Sequence, residues 1–440
     1  MFLLLFFWPA LALSANSFTL DTYLLEVKAN YPSLAAARSR VAAKEERISA
    51  AGAWDDPFFA MGVDQIPTKG MDTSSVWRYQ ISQTIPFPGK RGAASERAEA
   101  QASAAQADAD SLDRELTLIA MQLFYRFYFL ESAIEANGRT RKLLQSALDS
   151  SRARYRTGGS THHEWLLAKS ELAVLDVEKL RILRDKKSLQ ARMNELRNRQ
   201  PETPLGTLKV ELNGANRKVS PSLENQPELR SFDAALLSAT AEVRAAKLSY
   251  APDFMMQGML MEPRGMPTAG SMTSAMPSSW GFMVGVNIPL FFPWKQAGLV
   301  SAANFERAAA AQERASLENR LNSEIVDAQE QLRTAQSIVA LYRDSVIPAT
   351  KLAAGNARSI YGAKRLPLSQ LLEVLRAETS QELELLAAKL DVEIATARLE
   401  NLLSSPPMAR FAPSRPTLFG GMGSGMGGMT EMPEASSMGR

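Results

Sequence analysis

The chain of 440 residues contains no cysteine and only two histidines. The first absence excludes disulfides, thiolate metal centres and cysteine nucleophiles, and removes the residue a lipoprotein anchor would need. The second leaves little for imidazole catalysis or zinc binding. An excess of one charge is missing too. Fifty basic and 47 acidic residues give a net charge of +3 with no charged tail, so the footprint of a nucleic-acid binder is absent. Long hydrophobic runs are lacking as well. Met1 to Leu13 is almost wholly apolar but falls short of the roughly 20 residues of a helical span, and no later stretch reaches that length. Any membrane crossing must therefore use strands. No nucleophile–base pair, phosphate loop or carboxylate-rich metal motif is present, so neither an enzyme nor a bound cofactor is expected.

What is present begins with residues 1–15, which read as an export signal. Small residues in Ala10-Leu11-Ala12 or Leu13-Ser14-Ala15 suit a peptidase, although a basic n-region is missing. A short membrane anchor is the competing reading. The remainder repeats itself. Asn30-Tyr31-Pro32-Ser33-Leu34 recurs as Asn225-Gln226-Pro227-Glu228-Leu229. Pro57 and Pro252 follow the first proline of each copy by the same interval. Trp77 matches Trp280, and Ile85-Pro86-Phe87-Pro88 matches Ile288-Pro289-Leu290-Phe291-Phe292-Pro293. A period of about 200 residues is a duplicated domain and not a solenoid. The expected organisation is a first repeat over 16–203, a linker over 204–224, a second repeat over 225–404 and a disordered Met/Gly-rich tail over 405–440.

Each repeat reads as helix, two strands, a very long helix, a turn and a returning helix. The predicted helices cover 33–53, 90–155 and 161–198 in the first copy, and 228–250, 296–358 and 368–403 in the second. The strands fall within 58–85 and 253–289. Trp77, Tyr79, Ile81 and Ile85 alternate with Arg78, Gln80, Ser82 and Thr84. Trp280, Phe282, Val284, Val286 and Ile288 alternate with Gly281, Met283, Gly285 and Asn287. Period two with one greasy and one polar or small face is the pattern of a barrel wall between lipid and water. The helix after Pro88 predicts a rod of ~100 Å, and the two shorter helices of that copy stack to ~90 Å beside it. Ala93 to Ala109 and Ala308 to Ala311 allow close helix packing. Four strands cannot close a barrel, and an open sheet edge in lipid would leave backbone groups without partners. A membrane reading therefore requires several chains to pool their strands.

These residues resemble the TolC-like outer-membrane efflux family over about residues 18–404. The strongest motif is Ile85-Pro86-Phe87-Pro88-Gly89-Lys90-Arg91, with the degenerate partner Pro289 to Lys295. The helix turn Arg154-Tyr155-Arg156-Thr157-Gly158-Gly159 and its partner Tyr361-Gly362-Ala363-Lys364 add a second match. Within the family, the chain is similar to the outer-membrane component of copper/silver-type heavy-metal efflux systems. The resemblance implies an α+β membrane protein: a trimeric 12-stranded β-barrel, four strands per chain, continued by a long α-helical barrel through the periplasm. It implies a passive export duct in the outer membrane that docks on a periplasmic adaptor and an inner-membrane pump. It also implies acidic residues ringing the periplasmic mouth. Glu373 matches one such position, Arg376 replaces the acid one turn on, and Glu164 holds the corresponding place in the first copy. That departure leaves two alternatives, a charged ring or an Arg–Glu latch between helices. A periplasmic coiled-coil scaffold or adaptor without membrane insertion is the alternative for the whole chain. It leaves the alternating strands unexplained.

Thirteen of the 19 methionines fall in two clusters. One spans the second hairpin (Met255, Met256, Met259, Met261, Met266, Met272, Met276, Met283), and the other is in the tail (Met422, Met426, Met429, Met432, Met438). Thioethers are soft ligands that favour Cu(I) or Ag(I), here expected as transient cargo. Alternation sets Met255, Met259 and Met261 opposite Phe254 and Met256, and puts Met283 on the polar face of its strand. If Phe254 faces lipid, those four line the channel. The competing reading is methionine as filler of irregular apolar space. His162-His163 point about 100° apart on a helix and read as a polar helix start, not a metal site.

Overall fold

The structure is a computed structural model that describes residues 18–64, 75–156, 162–210, 212, 226–264, 277–363 and 365–404. The expected signal, the loop methionines Met266, Met272 and Met276, and the tail from 405 with its methionines lie outside the described residues. So do Thr157 to Thr161. All described residues belong to one compact unit, Met1–Pro407.

A short strand β1 (Phe18–Thr19) leads into α1 (Leu20–Asn30), a helix the sequence reading did not foresee. Thr19 caps it: its Oγ1 accepts the Thr22 amide at 3.3 Å while its own amide donates to Thr22 Oγ1 at 3.1 Å. Helix α2 (Pro32–Ala51) starts at a proline, as does α5 (Pro227–Leu248). The repeated prolines thus sit where the missing N–H costs nothing and the fixed φ suits a helix. Pro57 and Pro252 each stand just before a strand, β2 (Phe58–Asp64) or β5 (Asp253–Arg264). Strands β3 (Ser75–Ile85) and β6 (Ser279–Asn287) complete the two hairpins. The short strand β4 (Leu208–Lys209) pairs in parallel with β1, so the start of the expected linker is tied to the N-terminal segment.

The long helix α3 (Lys90–Arg156) has 67 residues, or ~100 Å. It packs against α2 and α4 (His162–Leu196), as well as α1, α5 and α8 (Leu368–Ser404). One rod beside two shorter helices is the arrangement expected. Its second-copy counterpart departs from expectation. The predicted single helix 296–358 is α6 (Lys295–Leu341), a π turn at Tyr342–Val346 and α7 (Ile347–Gly362). The cause is Pro348, the second residue of α7, which cannot donate within the ladder; the wider turn before it accommodates the gap.

The helices and strands share one lateral order. Neighbour relations run α2 and α4, then α3, then α5 and α8, then α6 and α7. The sheet runs β2-β3-β5-β6, antiparallel throughout. This order leaves two open edges among the described residues. One carries β2, α2 and α4; the other carries β6, α6 and α7. Both edges carry exposed large apolar residues, as the faces of the inner strands also do: Phe59, Met61, Val174, Val177 and Leu180 on the first, and Trp280, Phe282, Trp294, Phe305, Leu341 and Leu352 on the second.

Midway along the helices, Tyr23 and Phe124 are fully buried, with ring centroids 6.2 Å apart, and Phe18 lies against both. Burying such a ring contributes about 1.5–3 kcal/mol. Arg197, 5% exposed, covers Phe18 at 5.0 Å and pairs with Glu26 at 2.5 Å. In the second copy Glu228, in the first turn of α5, accepts from Arg320 Nη2 at 2.8 Å, and Glu324 lies 3.9 Å from Nε of the same guanidinium. Burial pushes the Glu228 carboxyl above its ordinary value, Arg320 partly opposes it, and the Glu324 charge adds to it. A carboxyl that holds its proton more tightly folded than unfolded takes up a proton on folding. Its contribution to stability therefore falls as pH rises from the ordinary carboxylate range through the raised value. Glu228→Gln is expected to raise the unfolding midpoint of the purified protein at pH 8 and to change it much less at pH 4, as read by circular dichroism.

Candidate functional site

The register of the sheet sorts its side chains into two faces. Paired residues of antiparallel strands lie on one side, so Phe59, Met61 and Val63 join Trp77, Tyr79, Ile81 and Ile85. Tyr79 and Ile85 join Leu260 and Phe254, and Gln83 joins Met256; these join Trp280, Val286 and Val284, and Phe282 pairs with Gly258 on the same face, whose polar members are Ser75, Gln83 and Glu262. The opposite face holds Gly62, Asp64, Arg78, Gln80, Ser82, Thr84, Gln257, Ser279, Gly281, Gly285 and Asn287. Its apolar members are Phe58, Val76, Pro263 and the methionines. Met255, Met259, Met261 and Met283 all lie on this second face, and Met256 on the first, as the alternation predicts. Strand β3, at 11 residues and the usual tilt, spans ~25 Å, the height of a membrane-facing apolar band. Trp77 and Trp280 stand near one end of that band. Trp54, Phe291, Phe292 and Trp294 stand at the other, where the helices begin, as aromatic girdles do.

The motif Ile85 to Arg91 turns the wall into the rod. Gly89 has φ of +99°, a conformation that side-chain-bearing residues rarely adopt. It lets α3 begin directly after Pro88. Lys90 then reaches back to the start of β5: its Nζ donates to Asp253 Oδ1 at 2.7 Å and to the Ala251 carbonyl at 3.0 Å. The Phe87 amide donates to the same carboxylate oxygen at 2.9 Å. Arg91 donates to the Gly52 carbonyl at 2.8 Å and stacks on Trp54 at 4.5 Å. This small basic motif therefore fastens both repeats at one level.

At the far end, α3, α4, α7 and α8 meet in an apolar cluster that includes Leu144, Leu172, Tyr361, Leu368 and Leu375. Polar ties cross between the two helical hairpins. Arg376 on α8 pairs with Glu171 on α4, whose side chain is only 16% exposed. Arg154 on α3 donates to the Tyr361 hydroxyl and lies over its ring at 4.6 Å. Thr140 and Thr379 share a hydroxyl hydrogen bond at 2.9 Å. Burial raises the Tyr361 pKa, opposed by Arg154 and reinforced by Glu164. Of the three mouth residues expected, Arg376 pairs with Glu171, Glu164 lies within the electrostatic reach of Tyr361, and Glu373 is exposed. The partner of Arg376 is Glu171, which sequence reading missed. It lies seven residues, two helical turns, after Glu164 and so shares its side of α4. Arg154 and Tyr361 open the two matching turn motifs, and their mutual contact gives those motifs a physical reason. His162 begins α4 exposed, its ring 5.4 Å from Tyr155 and 5.3 Å from Trp165.

The sequence profile described as "Outer membrane efflux protein" matches residues 24–198 and 219–405. The chain belongs to this family, the TolC-like outer-membrane efflux channels. It is a component of a passive channel in the outer membrane, with its helices in the periplasm, and not an enzyme. Solved structures share the fold. CusC is 14% identical, with 89% of this chain and 93% of that one covered and a TM-score of 0.77. VceC from Vibrio cholerae is also 14% identical, covering 88% and 96%, with a TM-score of 0.72. The open state of the Neisseria gonorrhoeae MtrE outer membrane channel is 16% identical, covering 88% and 89%, with a TM-score of 0.73. No curated protein sequence matches the chain.

Proposed function

We propose that three copies of this chain close edge to edge into one export duct, with four strands from each copy making a 12-stranded barrel and the helices making the tunnel below it. The observation that carries this reading is the coincidence of open edges. Strand β2 runs opposite to β6, so β6 of one copy can meet β2 of the next in antiparallel pairing. The exposed α4 and the exposed α6 and α7 then meet on the same seam. A head-to-tail contact of this kind closes into a ring, and closure removes the sheet edges that lipid forbids. The duct is passive. Its energy comes from an inner-membrane pump reached through a periplasmic adaptor, which meets the helical end. Glu164, Glu373 and Arg376 belong to the mouth there, and the Arg376–Glu171 tie holds it shut. The cargo is a copper/silver-type metal ion or another small toxic compound. Met422, Met426, Met429 and Met432 of the tail offer further thioethers to such an ion.

Because the chain has no cysteine, the seam can be tested cleanly. Met61→Cys is combined in turn with Phe282→Cys, Val284→Cys and Val286→Cys, all on the apolar face. Mild oxidation is expected to give a ladder ending at a covalent trimer in the outer-membrane fraction. A soluble, uncrosslinked monomer from the periplasm would overturn the proposal.

A further inference from the structure

We infer that Met255, Met259 and Met283 form a three-thioether station for a soft monovalent ion, Cu(I) or Ag(I), on the water-facing side of the wall. The inference rests on the duct reading, which makes that side a lumen. Met283 pairs directly with Gln257, while Met259 pairs with Gly281 and Met255 with Gly285. Met283 therefore stands between two glycines, diagonal to both other methionines. The side chains of those two lie across the glycines that face them on β6. A methyl group on Gly281 would meet Met259 Cγ at 3.1 Å and Sδ at 3.5 Å, and one on Gly285 would meet Met255 Cε at 3.4 Å. Each glycine leaves the space that its facing thioether occupies, on either side of Met283. Residues two apart on a strand are ~7 Å apart. Three unbranched side chains, each with three rotatable bonds, can span such gaps and converge on one ion with the backbone fixed.

Two contrasts argue against simple space filling. The neighbours on this face are Gln257, Gln80, Ser82 and Asn287, which offer no apolar void for methionine to fill. The first hairpin, built on the same plan, places Ala60, Gly62, Gln80 and Ser82 on this face, with Phe58 and Val76 at its ends, and its one described methionine, Met61, on the other. Thioethers thus mark only the second copy. Met261 shares the face but pairs with Arg78, whose guanidinium joins Asp64. Its cross-strand neighbours are thus an ion-paired guanidinium and Ser279, with no thioether facing it, so Met261 stands outside the station. Three neutral sulphur ligands without a carboxylate select a soft ion and bind it without adding charge, which suits cargo that must be released.

The test is calorimetric titration of full-length protein in detergent with silver nitrate in chloride-free buffer. The variant Met255→Leu/Met259→Leu/Met283→Leu keeps the apolar cover and removes the sulphur. It is expected to lack one silver equivalent per chain that wild type binds, while the tail equivalents persist in both. Met261→Leu is expected to keep that equivalent. Superimposable isotherms for wild type and the triple variant, both recovered as outer-membrane trimers, would overturn the station and leave the duct intact. Recovery of the wild type as a soluble monomer would remove the duct and the station with it. Should the triple variant not assemble, Met283→Leu alone is expected to weaken the strongest silver equivalent roughly tenfold; unchanged binding there also overturns the station.

Discussion

Ile81→Arg is expected to abolish recovery of the protein from the outer membrane, whereas Ser82→Arg, one residue on, leaves recovery close to wild type. The two positions are adjacent in β3 but belong to opposite faces. Ile81 pairs with Phe59 and with Gly258 on the apolar side, and Ser82 pairs with Phe58 and Gln257 on the polar side. An arginine on the lipid face near the bilayer midplane costs about 2–4 kcal/mol, and only about 0–1 near the interface. Ile81 lies in the middle of its strand, where the larger figure applies. If three copies share one barrel, the penalty falls three times on a single assembly, at about 6–12 kcal/mol, comparable to the whole stability of a typical domain. On the water side the same guanidinium keeps its hydration and narrows the lumen only. Quantitative blotting of outer-membrane fractions, with heat-modifiable trimer bands as the second readout, checks both variants. Equal recovery of the two would mean that the faces are not lipid and water.

The same contrast explains why the two faces of the sheet were legible in the sequence. Alternation has a period of two, and a single greasy residue fixes the parity of its whole strand, so Phe254 sufficed to place Met255, Met259 and Met261. The rods were legible because α3 has no interior proline from Lys90 to Arg156. Other features depend on contacts between residues far apart in the chain, and no local pattern carries them. Helix α1 is short and capped by a Thr–Thr pair in place of the more recognisable Ser/Thr–Glu box, so it was missed. The pairing of β1 with β4 joins two-residue strands about 190 positions apart, too short to show any period. The π turn at Tyr342–Val346 was missed because the expected helix 296–358 ran straight through Pro348, and the apolar periodicity on either side of that proline does not show how the ladder widens before it. At the far helix end, the resemblance put Arg376 one turn from Glu373 and left an Arg–Glu tie open without naming its acid; the chain pairs Arg376 with Glu171 from another hairpin, a choice made by packing around Leu172 and Leu375.

That choice carries the other large expected effect. Arg376→Glu sets a second carboxylate against Glu171, and Glu171→Arg sets two guanidinium groups together. Each is expected to turn a closed channel into a leaky one, while Arg376→Glu combined with Glu171→Arg restores closure. Arg376 is well exposed, so the native pair is worth only about 0.2–1 kcal/mol. A like-charge contact is unfavourable by a similar amount, so reversal swings each protomer by about 1 kcal/mol or somewhat more. A mouth ringed by three copies that opens in concert multiplies this to about 3 kcal/mol, roughly a hundredfold in the ratio of open to closed. The Arg154–Tyr361 contact and the Thr140–Thr379 bond still join the hairpins in every variant, so the fold is expected to hold while the aperture yields. Single-channel recording in planar bilayers reads the effect directly. The reversals should show high conductance for most of the record, and the swapped double variant should return to the low wild-type level. The expected change should also shrink in high salt, because an exposed pair is screened over about 10 Å at 0.1 M and about 3 Å at 1 M ionic strength. Leak in the double variant equal to that of the single reversals would show that the side chains act by size and not by charge, and the latch would then have to be sought in the Arg154–Tyr361 contact.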